Sequence, residues 1–412
     1  MTPVALAVTR LAREDGGRVT AVLASHFGDL DLADESVQDA LVEAVETWPT
    51  NGVPANPAGW LMTVARRKGI DRLRRTASTA RRTTAAGRDL LERDEPADGR
   101  SLGRDLVREE GDVRDEHLRL VLLCCHPALH RDAQVALTLR LVGGLTTTEI
   151  AAAFLVPEPT ITQRIVRAKR KIRDAAIPLT IPAALDERVD ALLTVLYLVF
   201  NEGYLARASD LVVRVDLADE AIRLTQLVRT LLPDSAEVAG LLALMLFQRS
   251  RFITRVDEDG ELVRLEDQDR TQWDGAMIEE ANGVLGPAMA AHRPGVHQLQ
   301  AVIAGLHANA RTAEDTDWSL VATAYAQLAT LTDSPVVRLN RAVAVGMADG
   351  PLAGLALLEG IEGLDGYHLL HASRGDLLER AGRSDEARAA FAHAATLTDN
   401  PAERRLLERR SG

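Results

Sequence analysis

Cysteine is nearly missing from this chain: Cys124 and Cys125 are its whole complement in 412 residues. Because the two are adjacent, they cannot build the disulfide framework that staples small secreted domains. Aromatic residues make up only 3%, whereas β-rich folds lean on aromatic and β-branched side chains. Ala, Leu, Arg and Glu dominate instead, a balance that favours helices. Long apolar runs are missing as well. The best of them, Ala191 to Phe200, falls far short of the roughly 20 residues that a membrane-spanning helix needs. The opening residues, MTPVALAVTRLARED, lack the apolar stretch of a signal peptide. A cytoplasmic, all-α protein without membrane association is the expectation.

What is present is length, apolar content and charge of both signs. A chain of 412 residues exceeds one ordinary domain, so about two to four units are expected. The net charge of −12 argues at first against nucleic acid, but it is unevenly distributed. Residues 1–177 hold 26 Lys and Arg against 25 Asp and Glu, while residues 178–412 hold 22 against 35. The acidity therefore belongs to the C-terminal half, and the N-terminal half is left able to carry local basic faces.

Residues 8–48 read as two amphipathic helices separated around Gly28, and a further apolar-periodic run covers 56–75. From Thr76 to Asp112 the pattern dissolves into Gly, Pro and charge, the composition of a linker. Helical periodicity returns over 116–142 and breaks at Gly143-Gly144; two short helices at 146–154 and 158–175 follow with almost no spacer. Beyond Pro178 and Pro182 the chain is helix after helix, interrupted at Gly203, Pro233, Gly286, Pro294 and Pro335. One stretch dissents: Phe252 to Arg270 has an Asp259-Gly260 turn between β-tolerant runs, which suits a small hairpin. Leu339–Gly360 and His368–Leu397 share a spacing of small residues that fits tetratricopeptide-like hairpins, and Ala402–Arg410 reads as a polar capping helix.

The first functional signal is a helix–turn–helix. Thr146 and Glu149 have capping-box spacing, and Leu155-Val156-Pro157 forms a tight connection into a second helix with Pro159 in its first turn. On that helix Ile161, Ile165, Ala168 and Ile172 share one face. Burying this stripe turns Thr160, Thr162, Gln163, Arg164, Arg167, Lys169, Arg170, Lys171 and Arg173 outward, as donors for base edges and cations for phosphates. A plain basic surface helix is the competing reading. The short turn and the capping box favour DNA.

The second signal is a pair of helices of opposite charge. Seven acids and no bases fall between residues 29 and 48, including Asp34, Glu35 and Asp39. The segment that follows, NPAGWLMTVARRKGIDRLRR (Asn56 to Arg75), leads into eight Lys and Arg between 66 and 82 against Asp71 alone. Trp60, Leu61, Val64, Ile70 and Leu73 can form its buried side. A cationic rim on an apolar helix suits a nucleic-acid backbone, and the acidic helix before it suggests a partner protein.

DESVQDALVEAVETW followed by NPAGWLMTVARRKGIDRLRR resembles region 2 of extracytoplasmic-function sigma factors of the sigma-70 superfamily, and Leu129–Arg173 resembles their region 4. The downstream half, with YLVFNEGY, LEDQDRTQWD, TDWSLVATAY and SPVVRLNRAVAV, resembles the subgroup carrying a tetratricopeptide-like C-terminal extension. The resemblance implies sigma region 2 at 1–76, a linker at 77–112, region 4 at 113–177, a helical extension at 178–285 and helical repeats at 286–412. It assigns Asp34, Glu35, Gln38, Asp39 and Ala40 to the surface that docks on the β′ clamp of core RNA polymerase, with the β flap as a second contact. It assigns the loop Asn51–Gly59 and the helix after it to the −10 promoter element, through Asn56, Trp60, Arg66, Arg67, Lys68, Asp71 and Arg74. Thr162, Gln163, Val166 and Arg167 match positions facing the −35 element, to which Thr160, Arg164, Lys169 and Lys171 add donors and cations. Pro57 stands where an aromatic is frequent in the family, and Arg67 where Asn is frequent.

The implied function is promoter-directed transcription initiation without enzymatic turnover, cofactor or metal. The acidic extension is expected to contact the sigma domains within the same chain and to scaffold or regulate them. A helix–turn–helix regulator with a helical-repeat sensor is the alternative. Cys124-Cys125-His126 lacks a second ligand group at zinc-like spacing and reads as buried thiols. Asn201, Glu202, Tyr204, Asp267, Gln268, Asp269, Arg270, Trp273 and Asp274 are dense in polar and aromatic groups, which suits either an intramolecular or regulatory contact surface or a purely structural, helix-capping role.

Overall fold

The structure, a computed structural model, describes residues 3–83, 110–154, 156–182, 185–204, 215–257, 261–290 and 294–412. The described residues form nineteen α-helices, and their only β pairing is an isolated bridge between Val256 and Leu262. The all-α expectation holds. The chain divides into two compact units, residues 1–198 and 199–412.

The first unit opens with α1 (Pro3–Glu14), α2 (Gly16–Phe27), α3 (Leu30–Asn51) and α4 (Pro57–Thr83). Two helices rather than one precede Gly28, because the chain turns at Asp15. Gly17 then permits a close approach: a Cβ there would stand 3.0 Å from the carbonyl oxygens of Leu141 and Val142. Gly28 ends α2 in the left-handed region, φ 66°, where glycine carries no steric penalty. The Asp29 carboxylate accepts from the Leu32 amide at 3.0 Å and starts α3.

Along α3, Ala33, Val37, Ala40, Ala44 and Trp48 are buried against Val19 and Leu23 of α2 and Leu61 and Ala65 of α4. The small residues let the helices approach, and Trp48 closes the far end edge-to-face on Trp60 with centroids 5.2 Å apart. Emptying the Trp48 site to alanine would cost about 3–5 kcal/mol. The stripe of α4 ends sooner than expected. Phe27 closes over Gly69, and Leu73, one turn further, is 48% exposed. The helix itself runs past Arg75 into the expected linker, whose residues 84–109 lie outside those described.

The unit continues with α5 (Glu110–Cys124), α6 (Arg131–Leu137) with a π turn at Thr138–Val142, α7 (Thr147–Ala153) and α8 (Glu158–Asp174). Helix α5 packs on α2. The break at Gly143-Gly144 follows the π turn, and Gly144 (φ 69°) sits so close to α1 that a Cβ would come within 2.3 Å of the Ala12 carbonyl oxygen. Helix α9 (Leu185–Tyr204) runs across the division between the units.

The second unit holds α10 (Val215–Leu231), α11 (Ala236–Ser250), α12 (Gly275–Met289), α13 (Val296–Asn309), α14 (Trp318–Leu331), α15 (Pro335–Ala348), α16 (Pro351–Glu359), α17 (His368–Arg380), α18 (Ser384–Leu397) and α19 (Pro401–Ser411). Helix α11 is buried over most of its length and packs on α10, α12 and α13. Its Glu237 carboxylate receives the amides of His297 and Gln298 at 2.9 and 3.0 Å, satisfying the start of α13. Gly286 lies within α12 instead of interrupting it. From α14 onward successive helices pack as hairpins over small apolar cores, such as Leu378, Phe391 and Ala394. The segment 252–274 forms short 3-10 turns, with the bridge flanking the expected Asp259-Gly260 turn, which itself lies outside the described residues.

Candidate nucleic-acid interface

The capping box forms as the spacing requires. The Glu149 amide donates to Thr146 Oγ1 at 3.1 Å, and the Thr146 amide donates to Glu149 Oε2 at 2.7 Å. Partial burial works to raise the Glu149 carboxyl, but the bonds from Thr146 and the Arg13 guanidinium together hold it below the usual carboxylate range. Helix α8 follows after Pro157, with Pro159 in its first turn, and buries Ile161, Ile165, Ala168 and Ile172. That apolar stripe orients everything else on the helix.

Thr162, Gln163, Val166, Arg167, Arg170 and Lys171 share the exposed side, and Val166 is 59% exposed. Gln163, Arg167 and Lys171 follow one another at single-turn intervals, which aligns an amide and two cations along the helix. Thr160 and Arg164 are half-buried, and Arg164 pairs with Asp132 of α6 at 3.1 Å. Lys169 faces a different way. Its Nζ lies 2.6 Å from Asp34 and 3.5 Å from Asp31, both on α3, and Arg173 reaches Asp31 at 2.8 Å.

The acidic helix is therefore partly occupied within its own unit. Asp34 is only 7% exposed, because Lys169 covers it. Glu35 and Asp39 both bond to Arg72 of α4, the latter at 2.7 Å, and Gln38 is half-buried beside them. Further along, Glu43 receives Arg67 at 2.8 Å and Lys68 at 2.6 Å. The bond from Lys68 holds the Glu43 carboxyl below its usual range, opposed by burial and assisted by the bond from Arg67 and the charges of both. Helices α3 and α4 run antiparallel as a ladder of opposite charges.

The remaining residues assigned to the −10 element spread along α4 and the loop before it. Asn56 is exposed and its Oδ1 caps α4 by accepting from the Gly59 amide at 2.9 Å. Trp60 is half-buried on Trp48; Arg66 and Asp71 are half-buried, and Arg74 is exposed. The side chains of Arg81 and Arg82 lie outside the described residues. Sequence reasoning missed Asp31 as the partner of Lys169 and Arg173, since each pair joins residues more than a hundred positions apart.

Cys124 and Cys125 are buried and free, and burial raises both thiols, Cys125 to about 12. The dense polar run after Leu265 turns largely inward: Gln268 and Trp273 are 7% exposed, with Gln268 Nε2 on the Val263 carbonyl at 3.1 Å and Trp273 Nε1 on Thr254 Oγ1 at 2.9 Å. For those two residues the structural alternative holds. Of Glu202 and Tyr204 only the helical backbone is described. Among the described residues no group of His, Cys, Asp and Glu is placed to hold a metal, and no helix is long and apolar enough to cross a membrane.

A helix–turn–helix with a cationic outer face, joined to a charge-laddered helical hairpin, defines a two-module transcription factor of the sigma type. Comparison with known proteins agrees. Residues 11–79 match sigma-70 region 2, residues 119–172 match sigma-70 region 4, and residues 188–289 match a family of unknown function. An uncharacterized protein of Rhizobium meliloti (strain 1021) is 45% identical over 384 residues, covering 92% of this chain and 89% of the relative. The ECF RNA polymerase sigma factor SigK of Mycobacterium ulcerans (strain Agy99) is 26% identical over 158 residues, covering 38% of this chain and 79% of that protein. No solved structure matches. The chain belongs to the extracytoplasmic-function group of the sigma-70 family and carries a helical C-terminal extension. Its sigma domains imply RNA polymerase core and promoter DNA as partners, and proteins of this family are not enzymes.

Proposed function

We propose that the chain directs core polymerase to promoters by reading a −35 element through the exposed side of α8. The observation that carries this is the alignment of Gln163, Arg167 and Lys171 on one face while the isoleucine stripe anchors the other. Gln and Arg can each pair bidentately with a base edge, and Lys171 near the helix end supplies charge for a phosphate. Thr160, Thr162, Arg164 and Val166 complete that surface. Lys169 contributes to it only after leaving Asp34.

In this reading the loop Asn51–Gly59 and helix α4 hold the −10 strand, with Asn56 and Trp60 beside the extruded base and Arg66, Arg67, Lys68, Asp71 and Arg74 lining its path. Asp34, Glu35, Gln38 and Asp39 dock on the β′ clamp, and region 4 meets the β flap. Docking exchanges internal ion pairs for polymerase contacts. Exposed pairs such as Arg72 with Glu35 are each worth about 0–1 kcal/mol, so the exchange is cheap there. Releasing Asp34 from Lys169 costs more, because that pair is largely desolvated.

The working division is 1–76 for polymerase docking and melting, 77–112 as linker, 113–177 for −35 reading, and 178–412 as a scaffold that tunes the access of the sigma modules, all acting in the cytoplasm. Footprinting the reconstituted holoenzyme tests the reading. Protection should span both elements, and Arg167→Ala should erase the upstream portion first. Unaltered upstream protection by a folded Arg167→Ala protein would overturn the assignment of α8.

A further inference from the structure

The second unit contains a cavity of about 480 Å³ that the sigma reading leaves without a role. It opens between the 264–270 turns, the end of α13, the loop before α14, and helices α15 and α17. Its apolar wall is built by Trp318, Val343, Met347 and Leu377. Three residues of its lining each carry a buried polar atom without a hydrogen-bond partner among the described residues: Arg270 Nε, His307 Nδ1 and Thr316 Oγ1. Buried polar groups are satisfied in the great majority of cases, so three orphans lining one cavity call for a missing partner.

Their surroundings define what that partner is. Arg270 Nη1 is spent on the carbonyls of His307 and Ala310, at 2.5 and 3.0 Å, and its guanidinium lies over Trp273 at 4.8 Å. This fixes the group while leaving Nε–H unused and no carboxylate in contact with it among the described residues. The Glu266 carboxylate is already held by Arg264 at 2.8 Å and Arg380 at 2.6 Å, and Asp376 is held by Arg410. Glu314 accepts from Thr312 instead. His307 stands edge-to-face on Trp318 with centroids 5.1 Å apart; burial and then the charges of Arg251 and Arg270 push it down to about 4, so it is neutral near pH 7. Thr316 is only 5% exposed.

We propose that this cavity is a binding site for a small organic carboxylate with an aromatic or aliphatic body, its carboxylate on Arg270 and Thr316 and its body against Trp318 and Met347. The volume is in the range of ordinary small-molecule sites, about 300–1,000 Å³, and an apolar wall with a few convergent polar groups is their usual make-up. A charged acceptor is preferred over a neutral one because the guanidinium lacks a counter-ion in contact. The inference does not depend on the sigma assignment, since it concerns binding to the second unit and its test measures no transcription.

The test titrates the full chain with 1-anilinonaphthalene-8-sulfonate, an apolar aromatic anion, followed by fluorescence. Indole-3-butyrate and its primary amide then compete with the bound dye. The proposal expects one saturable site per chain, displacement by the acid at least about tenfold better than by the amide, and about tenfold weaker dye binding in Thr316→Val. Val343→Trp, which fills the cavity, should abolish the site while circular dichroism shows an unchanged helical melt. Should Val343→Trp not fold, Thr316→Val, which removes one oxygen and keeps the shape, carries the test alone. No saturable binding, equal competition by acid and amide, or wild-type affinity in Thr316→Val would each overturn the proposal.

Discussion

Arg67, Lys68 and Arg72 of α4 lie on carboxylates of α3, whereas Gln163, Arg167 and Lys171 of α8 stand exposed at single-turn intervals. Both helices carry dense positive charge in the sequence and both spend part of it on carboxylates, but on α8 the unspent cations, Arg167 and Lys171, line up with Gln163 on one exposed face. Affinity for a nucleic-acid backbone comes largely from releasing counterions, and a cation already neutralised by a protein carboxylate releases fewer. Charge content therefore locates a basic helix, and the internal partners decide how much of it reaches DNA. On α8 the division runs within one helix, because Lys169 and Arg173 turn to Asp34 and Asp31 while Arg167 does not.

The contrast is widest on α8. Gln163→Ala with Arg167→Ala should weaken binding to a −35 duplex by about 1–3 kcal/mol for each bidentate base pairing removed, and should relax sequence preference. Fluorescence anisotropy against matched and scrambled duplexes reads this, and an equal weakening on both would assign the two residues to phosphates. Next in size is Lys169→Met, which leaves Asp34 nearly buried and unpaired. A loss of about 2–3 kcal/mol in the unfolding of the first unit is expected, at the low end for buried pairs because both groups keep some exposure. Sequence preference on DNA should stay unchanged, since Lys169 is not on the outer face.

Two smaller effects bear on the same contrast. Thr146→Ala removes the cap of α7 and should cost about 1 kcal/mol, read as a lowered thermal midpoint. Glu43→Gln should destabilise the first unit by no more than about 1 kcal/mol at neutral pH, because the ladder is partly exposed. Its pH dependence has a fixed sign. The folded carboxyl lies below its ordinary value, so its contribution is complete above the unfolded carboxylate range and fades as pH falls through the folded one. The difference between wild type and Glu43→Gln should thus vanish in acid, and the variant, with Arg67 and Lys68 released, should bind non-specific DNA more tightly at low salt. A difference that persists in acid would contradict the ladder.

Local features were legible in the sequence and long-range ones were not. The capping box, the isoleucine stripe of α8 and the break at Gly143-Gly144 follow from spacing within a few residues, and each forms as expected. The acidic and basic character of α3 and α4 was also plain. Their mutual neutralisation was not, because the pairs Glu35–Arg72 and Glu43–Lys68 depend on the antiparallel packing of two helices. The bond between Asp34 and Lys169 spans 135 positions and needs both modules in place. Gly286 does not interrupt its helix as expected, because a helix interior tolerates glycine when packing supplies the stability. The cavity of the second unit was not legible: Arg270 stood out only as part of a polar run, and His307 and Thr316 join it through folding alone.

Whether this chain confers promoter specificity on core polymerase is decided by multi-round transcription in vitro. Purified bacterial core enzyme is incubated with the full chain and a pool of promoter fragments, and transcript starts are mapped. Defined starts are expected downstream of a common pair of −35 and −10 sequences, absent with core alone and abolished in the Gln163→Ala, Arg167→Ala protein. Starts no different from those of core alone, from a chain that still binds DNA, would refute the sigma role and leave a regulator that does not act as a polymerase subunit.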